Sequence, residues 1–323
     1  MTASFASAPG KVVLCGEYAV LDGAAAISMA VNRRATVRVS DFDGDWHRVS
    51  APGYSSLEGR FVSNDATVDW LQGEDEYRIV DAVWRTLGRT EHGSLSIELD
   101  TRAFLDSVSG SKIGIGSSAA LTVALAAALG ESSDVLDPAI RAHSVFQQGV
   151  GSGVDIATAV SGGLIEYRVN EATISRLRWP AGLAYRLVWT GVPASTRTKL
   201  DKLQLAGRRT SRSSLASAAE TMATAWRSAS AVMCEYPAYI ETLRQFSVDH
   251  DLGIFDAGHD KLVSEAAAAG LVYKPCGAGG GDVGILLGDD DERLDDFVTR
   301  LEPWGCQALE ARLEPDGVEM EQR

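Results

Sequence analysis

Lys112-Ile113-Gly114-Ile115-Gly116-Ser117-Ser118-Ala119-Ala120 runs without interruption into an Ala- and Leu-rich stretch that ends at Gly130. Serines at the start, alanines and leucines throughout and a glycine just past the end predict a helix over residues 117–129. The glycines before it let the backbone come close and point successive N–H groups inward. With the positive end of the helix dipole they form an anion cradle suited to a di- or triphosphate. Ser117 or Ser118 at its edge can ligate Mg2+, a hard ion that prefers oxygen and shares its coordination with phosphates. Taken alone, the stretch serves equally well as a tight turn before a helix. The loose dinucleotide fingerprint Gly114-x-Gly116-x-x-Ala119 also fits, but the polar residues 106–111 in front of it are not the buried strand it requires. No Walker G-x-x-x-x-G-K-[ST] occurs in the chain.

Three further segments stand out. Pro9-Gly10-Lys11 opens a short apolar run that leads into Gly16-Glu17-Tyr18. Lys11 is either an incidental lysine or a point charge aimed at phosphate oxygens. Gly151-Ser152-Gly153-Val154-Asp155-Ile156-Ala157 sets Asp155 among small and apolar residues. Asp155 is then a satisfied structural carboxylate or a general base, and an adjacent Lys11 would keep it ionised. Gly277-Ala278-Gly279-Gly280-Gly281 is costly in an ordinary hairpin, so it reads as close backbone approach to a ligand or another loop, with a tight turn without function as the alternative.

Around these segments the pattern is mixed. Residues 35–40 and 94–100 alternate as half-buried strands, and residues 164–169, 187–190, 271–273 and 283–287 read as further strands. Val80, Val83, Trp84 and Leu87 fall at i, i+3, i+4 and i+7 before Gly88, which predicts an amphipathic helix. Leu215, Ala219, Met222, Trp226, Ala229 and Met233 form one helical stripe, and residues 259–269 form another helix. The acidic run 289–296 reads as a solvated helix start. Without strict βαβα alternation the fold class is α+β. At 323 residues two domains are expected, divided near the Trp179-Pro180-Ala181-Gly182 break into 1–180 and 181–323.

The formal charge of −14 speaks against nonspecific binding to nucleic acid or an anionic membrane. The longest apolar run is too short to span a bilayer, and no basic, apolar leader is visible at the start. Four scattered cysteines without a CxxC pair suit reduced thiols, so a cytoplasmic protein is expected.

The order of these motifs resembles the GHMP kinase superfamily over essentially the whole chain, and within it the phosphomevalonate kinase branch. Gly16-Glu17-Tyr18, Lys112, Gln147 and Lys274-x-x-Gly277 point to that branch. The resemblance implies an N-terminal domain like the second domain of ribosomal protein S5 and a ferredoxin-like C-terminal domain. It implies ATP and Mg2+ as cofactors, a small anionic substrate and room for a homodimer. Lys11 and Asp155 become the catalytic pair, with Lys112, Gly114, Ile115, Gly116, Ser117, Ser118 and Ala119 at the nucleotide. Glu17, Tyr18, Ser152, Gly153, Ser195, Thr196, Arg197, Gly277, Ala278 and Gly279 would surround the acceptor. The implied reaction is phosphoryl transfer from ATP to a phosphorylated acceptor, (R)-5-phosphomevalonate. The alternatives are a mevalonate or sugar hydroxyl, or a catalytically silent ligand sensor. One departure concerns the metal: mevalonate kinases carry a glutamate eleven residues before the aspartate, where this chain has Ser144.

Overall fold

The computed structural model describes residues 3–64, 67–89, 93–130, 132, 134–149, 151–171, 173–194, 196–205 and 210–322; the side chains of residues 196, 197, 204, 205 and 322 are not described. Among the described residues the strands form two sheets. The larger contains β1 (Ser4–Cys15), β2 (Ala26–Phe42), β3 (His47–Ala51), β4 (Ser55–Asn64), β5 (Thr67–Gln72), β6 (Ser94–Asp100), β7 (Leu164–Arg168) and β8 (Thr173–Leu177). The smaller contains β9 (Ala184–Trp189), β10 (Val272–Pro275), β11 (Val283–Gly288) and β12 (Gln307–Leu309), in the order β10-β11-β9-β12. A final strand, β13 (Glu319–Gln322), returns to the larger sheet and pairs antiparallel with β1. Apart from the parallel β3–β6 pair, the larger sheet is antiparallel, and β2 is its longest member. The first part of β2 pairs with β7 and the later part with β6.

The first four helices, α1 (Arg78–Leu87), α2 (Ser117–Leu129), α3 (Leu136–Phe146) and α4 (Val154–Ser161), pack together on the larger sheet. Gly88 closes α1 in the left-handed conformation, as its position after the apolar stripe predicts. α2 is buried almost all round, which explains why it carries no polar face: Val123, Ala124 and Leu125 meet Val37, Ile97 and Trp84 in one apolar cluster.

The remaining helices are α5 (Thr196–Leu205), α6 (Thr210–Ala225), α7 (Ala229–Asp249), α8 (His259–Ala268) and α9 (Asp291–Val298). The single stripe expected over residues 215–233 is in fact two helices, because Ser228 adopts an extended conformation and starts α7. The buried residues agree with the stripe: Leu215, Ala219, Met222 and Trp226 are all in the core. One continuous apolar cluster runs from Val12, Leu14 and Met29 through Trp226, Tyr236 and Leu243 to Ile285 and Leu287. The two sheets thus share a core rather than merely touching. No helix is long and apolar enough to cross a membrane among the described residues. The four cysteines are free thiols.

Candidate active site

β1 delivers Lys11. Its backbone N–H donates to the Ile115 carbonyl at 2.8 Å, so the loop before α2 lies against β1. Gly10 makes that approach possible, since a Cβ there would stand 2.6 Å from the Ile115 oxygen and 2.7 Å from the Phe104 ring. The Lys11 side chain then passes under Gly116, where a Cβ would meet Cγ and Cε at 3.1 Å. α4 delivers Asp155 in its first turn. The two meet at 3.1 Å, Nζ to Oδ1, with side chains 11% and 32% exposed. A pair far apart in sequence is brought together at the surface of one cavity.

Two cavities lie in this part of the fold, and the pair lines only the smaller. One is a cleft of about 560 Å3 beside the start of α2, lined by Tyr54, Tyr77, Phe104, Lys112, Ser117 and Ser118 among others. Gly116 holds the N-cap position of α2 with φ of 85°, and no side chain caps the first turn. The first N–H groups of α2 are thereby left for an anion. Lys112 is exposed at the rim, whereas Ile115 and Ala119 are buried and offer backbone only. The other space, about 110 Å3, is lined by Lys11, Asp155, Tyr18, Ser152, Gly153, Gly277 and Ala278 among others. Tyr18, held at φ of 62°, donates its hydroxyl to the Ala278 carbonyl at 2.7 Å and so ties the two chain halves across it.

Two expected acceptor residues are engaged by other groups, although Glu17 also lines the smaller pocket. The Glu17 carboxylate is buried against the Lys274 ammonium, which also donates to the Pro275 carbonyl at 2.6 Å. The other Glu17 oxygen accepts from the Tyr239 hydroxyl at 2.8 Å. Gly279 packs on Ile254, whose Cγ2 would lie 2.5 Å from a Cβ, and its carbonyl accepts from Lys199 at 2.7 Å. Gly280 and Gly281 likewise face Gly253 and Val192, so close approach to other loops accounts for most of this glycine run. Only Gly277 opens toward Lys11, with Nζ 3.9 Å from its absent Cβ. Ser195 lies outside the described residues, as do the side chains of Thr196 and Arg197.

Three residues that the sequence reading gave no role complete the picture. Burial depresses the Lys274 pKa, but the charge and hydrogen bond of Glu17, with Cys276 and Cys15 close by, together outweigh it and leave the ammonium above its ordinary value. A lysine in the otherwise apolar strand β10 is a visible signal of a buried counter-ion. Lys274→Met strands Glu17 without its partner and should cost on the order of 3–5 kcal/mol in equilibrium denaturation, most of it recovered in Glu17→Gln/Lys274→Met. If the single variant unfolds like the parent, the pair is not structural.

Asp282 is the second. Its carboxylate fills the space where a Cβ on Gly114 would be, and Oδ1 accepts from the Ala194 N–H at 3.0 Å. Burial pushes its pKa up against the pull of Lys112, Lys11 and Lys199. Lys112, Lys11 and Lys199, from three separate segments, therefore act on this carboxylate, while Asp155 offsets Lys11 and Asp256 offsets Lys199. Burial also lowers the Lys199 pKa to about 8.

His143 of α3 is the third. It is buried, touches Ser118 at 3.3 Å, and burial lowers its pKa while Asp155 raises and Lys11 lowers it further. Ser144, the residue at the glutamate position of the resemblance, faces solvent instead. Nothing in the local sequence distinguishes His143 from an ordinary core histidine.

Among the described residues no group of three or more His, Cys, Asp or Glu could hold a metal ion by itself. The Ser117 and Ser118 hydroxyls fit a hard divalent cation that completes its shell with phosphate oxygens and water.

No protein-family model matches the chain. It is 31% identical over 345 residues to a phosphomevalonate kinase of Streptomyces sp. (strain CL190), covering 89% of this chain and 90% of that one. It is likewise 31% identical over 317 residues to a mevalonate kinase of Methanothermobacter thermautotrophicus, covering 92% and 94%. Among solved structures, Streptococcus pneumoniae phosphomevalonate kinase in complex with phosphomevalonate and AMPPNP superposes with a TM-score of 0.79 at 17% identity, covering 96% of this chain and 99% of that one.

Proposed function

The chain belongs to the GHMP kinase superfamily, and on that premise we propose that it transfers the γ-phosphoryl group of ATP to (R)-5-phosphomevalonate, releasing ADP and the diphosphate. The observation that carries the proposal is the Lys11–Asp155 pair in the wall of the smaller pocket, with the Lys11 stem packed against Gly116 at the mouth of α2. In this reading the nucleotide's phosphates lie on the N–H groups of Gly116, Ser117 and Ser118, and its base occupies the aromatic-lined cleft. The acceptor lies between Tyr18, Ser152, Gly153 and Ala278.

An acceptor phosphate oxygen attacks the γ-phosphorus as the bond to the β,γ-bridging oxygen breaks, and ADP carries away the electron pair. A phosphate monoester is largely dianionic above about pH 6, so little proton transfer is required. Asp155 then orients the acceptor through the pocket wall, and Lys11 screens the two polyanions from one another. Lys112 and Lys199 add positive charge on either side. Most of the acceleration arises from alignment and fixed charge rather than from covalent chemistry. Ser117 and Ser118 would hold Mg2+, which neutralises phosphate charge when bound.

A second reading, an alcohol acceptor such as mevalonate, is favoured by the equal identity to a mevalonate kinase. Asp155 would then serve as a true base. ADP formation over a panel of phosphomevalonate, mevalonate, hexoses and homoserine separates the readings. We expect phosphomevalonate to exceed mevalonate in kcat/KM by about 100-fold or more, equivalent to roughly 2.7 kcal/mol of transition-state discrimination. Preference for mevalonate would move the acceptor assignment; no ADP with any acceptor would end the kinase assignment.

A further inference from the structure

Ser118 and His143 stand at the seam between the two cavities. Ser118 lines the cleft beside α2, while His143 lines the pocket that contains Lys11 and Asp155. Their side chains meet through Ser118 Oγ and His143 Nε2 at 3.3 Å. α3 holds the imidazole in place, since its ring stacks on Phe146 with centroids 6.2 Å apart, and Phe146 itself lines the cleft. A serine hydroxyl rotates freely and turns its proton toward whichever acceptor is available. At the mouth of α2, that freedom decides whether the oxygen offers lone pairs or a proton to a ligand.

We propose that His143 is the positioning residue for Ser118: its Nε2 accepts the hydroxyl proton, which turns the Ser118 lone pairs into the cleft toward the cation and phosphates of the nucleotide. The proposal rests on the kinase reading above. It gives this chain a neighbour for the serine oxygen that differs from a carboxylate, since the imidazole brings direction without negative charge. The two side chains then behave as one unit, and removing either destroys the same interaction.

A double-mutant cycle of Ser118→Ala and His143→Ala tests this, read as Mn2+ affinity in the presence of AMPPNP by the electron paramagnetic resonance of free Mn2+. Each single variant should weaken Mn2+ binding by about tenfold, the range for partners that orient a metal-ligating group, and the double variant should be no weaker than Ser118→Ala. His143→Gln, whose amide reaches about as far as Nε2, should restore most of the affinity, and His143→Asn, which does not, should restore little. The Gln and Asn pair decides the matter should His143→Ala fail to fold. Additive losses in the cycle, or equal affinities for Gln and Asn, overturn the proposal. A parent protein that binds no AMPPNP would instead overturn the kinase reading, a result distinct from additivity.

Discussion

Gly116→Val weakens nucleotide binding by about 100-fold or more while the protein stays folded. Gly116 sits at φ of 85°, a conformation that a β-branched residue avoids, and its absent Cβ faces the Lys11 stem at 3.1 Å. Valine would have to shift Lys11, turn the N-cap, or both. Either movement displaces the N–H groups at the mouth of α2 and the ammonium beside them, so phosphates lose two sources of positive potential together. The local strain costs on the order of 1–3 kcal/mol, which lowers stability without removing a core shared by two sheets. Fluorescent ATP-analogue titration should show affinity weakened by about 100-fold or more, and the thermal transition should remain cooperative. Unchanged ATP affinity in a folded variant would remove the phosphate loop from the account.

Asp155→Asn is expected to reduce turnover by a factor on the order of 10² or more with nucleotide affinity held within a fewfold. The substitution preserves shape but removes the negative charge 3.1 Å from the Lys11 ammonium. Lys11 loses the partner that fixes its position, and the acceptor loses the carboxylate that faces the pocket. On the proposed reading the nucleotide phosphates lie at the mouth of α2, away from Asp155, and are spared. Stopped-flow ADP release together with the binding titration measures both quantities. Near-normal turnover would remove Asp155 from the reaction.

Local signals carried the readable parts of this fold. The start and end of α2, the alternation in β6 and the glycine after α1 all depend on residues within one element. β2 shows the limit: its first six residues are all buried, so they do not alternate, and only the portion beyond Ala35 has one wet face and a legible period. The helix break at Ser228 was hidden because the apolar spacing continues across it. Motif order, not any periodicity, is what makes Lys11 and Asp155 legible as a pair. Glu17 and Gly279 illustrate the reverse, where a motif residue is engaged by partners from distant chain, Lys274 and Ile254. The closeness required by the third glycine run could be read; the loops that demand it could not. His143 was invisible for the same reason, since its significance comes from Ser118, 25 positions away.

Because β13 is hydrogen-bonded along Ser4–Ser7, the end of the chain is structurally stitched to its beginning. A truncated protein stopping near residue 180 would not yield a tidy nucleotide-binding half. It would leave the outer edge of β1 open to strand addition and strip the cover from Val12 and Leu14 at once. Such fragments should self-associate rather than fold as soluble monomers, and substitutions that disrupt β13 should perturb the very strand that bears Lys11.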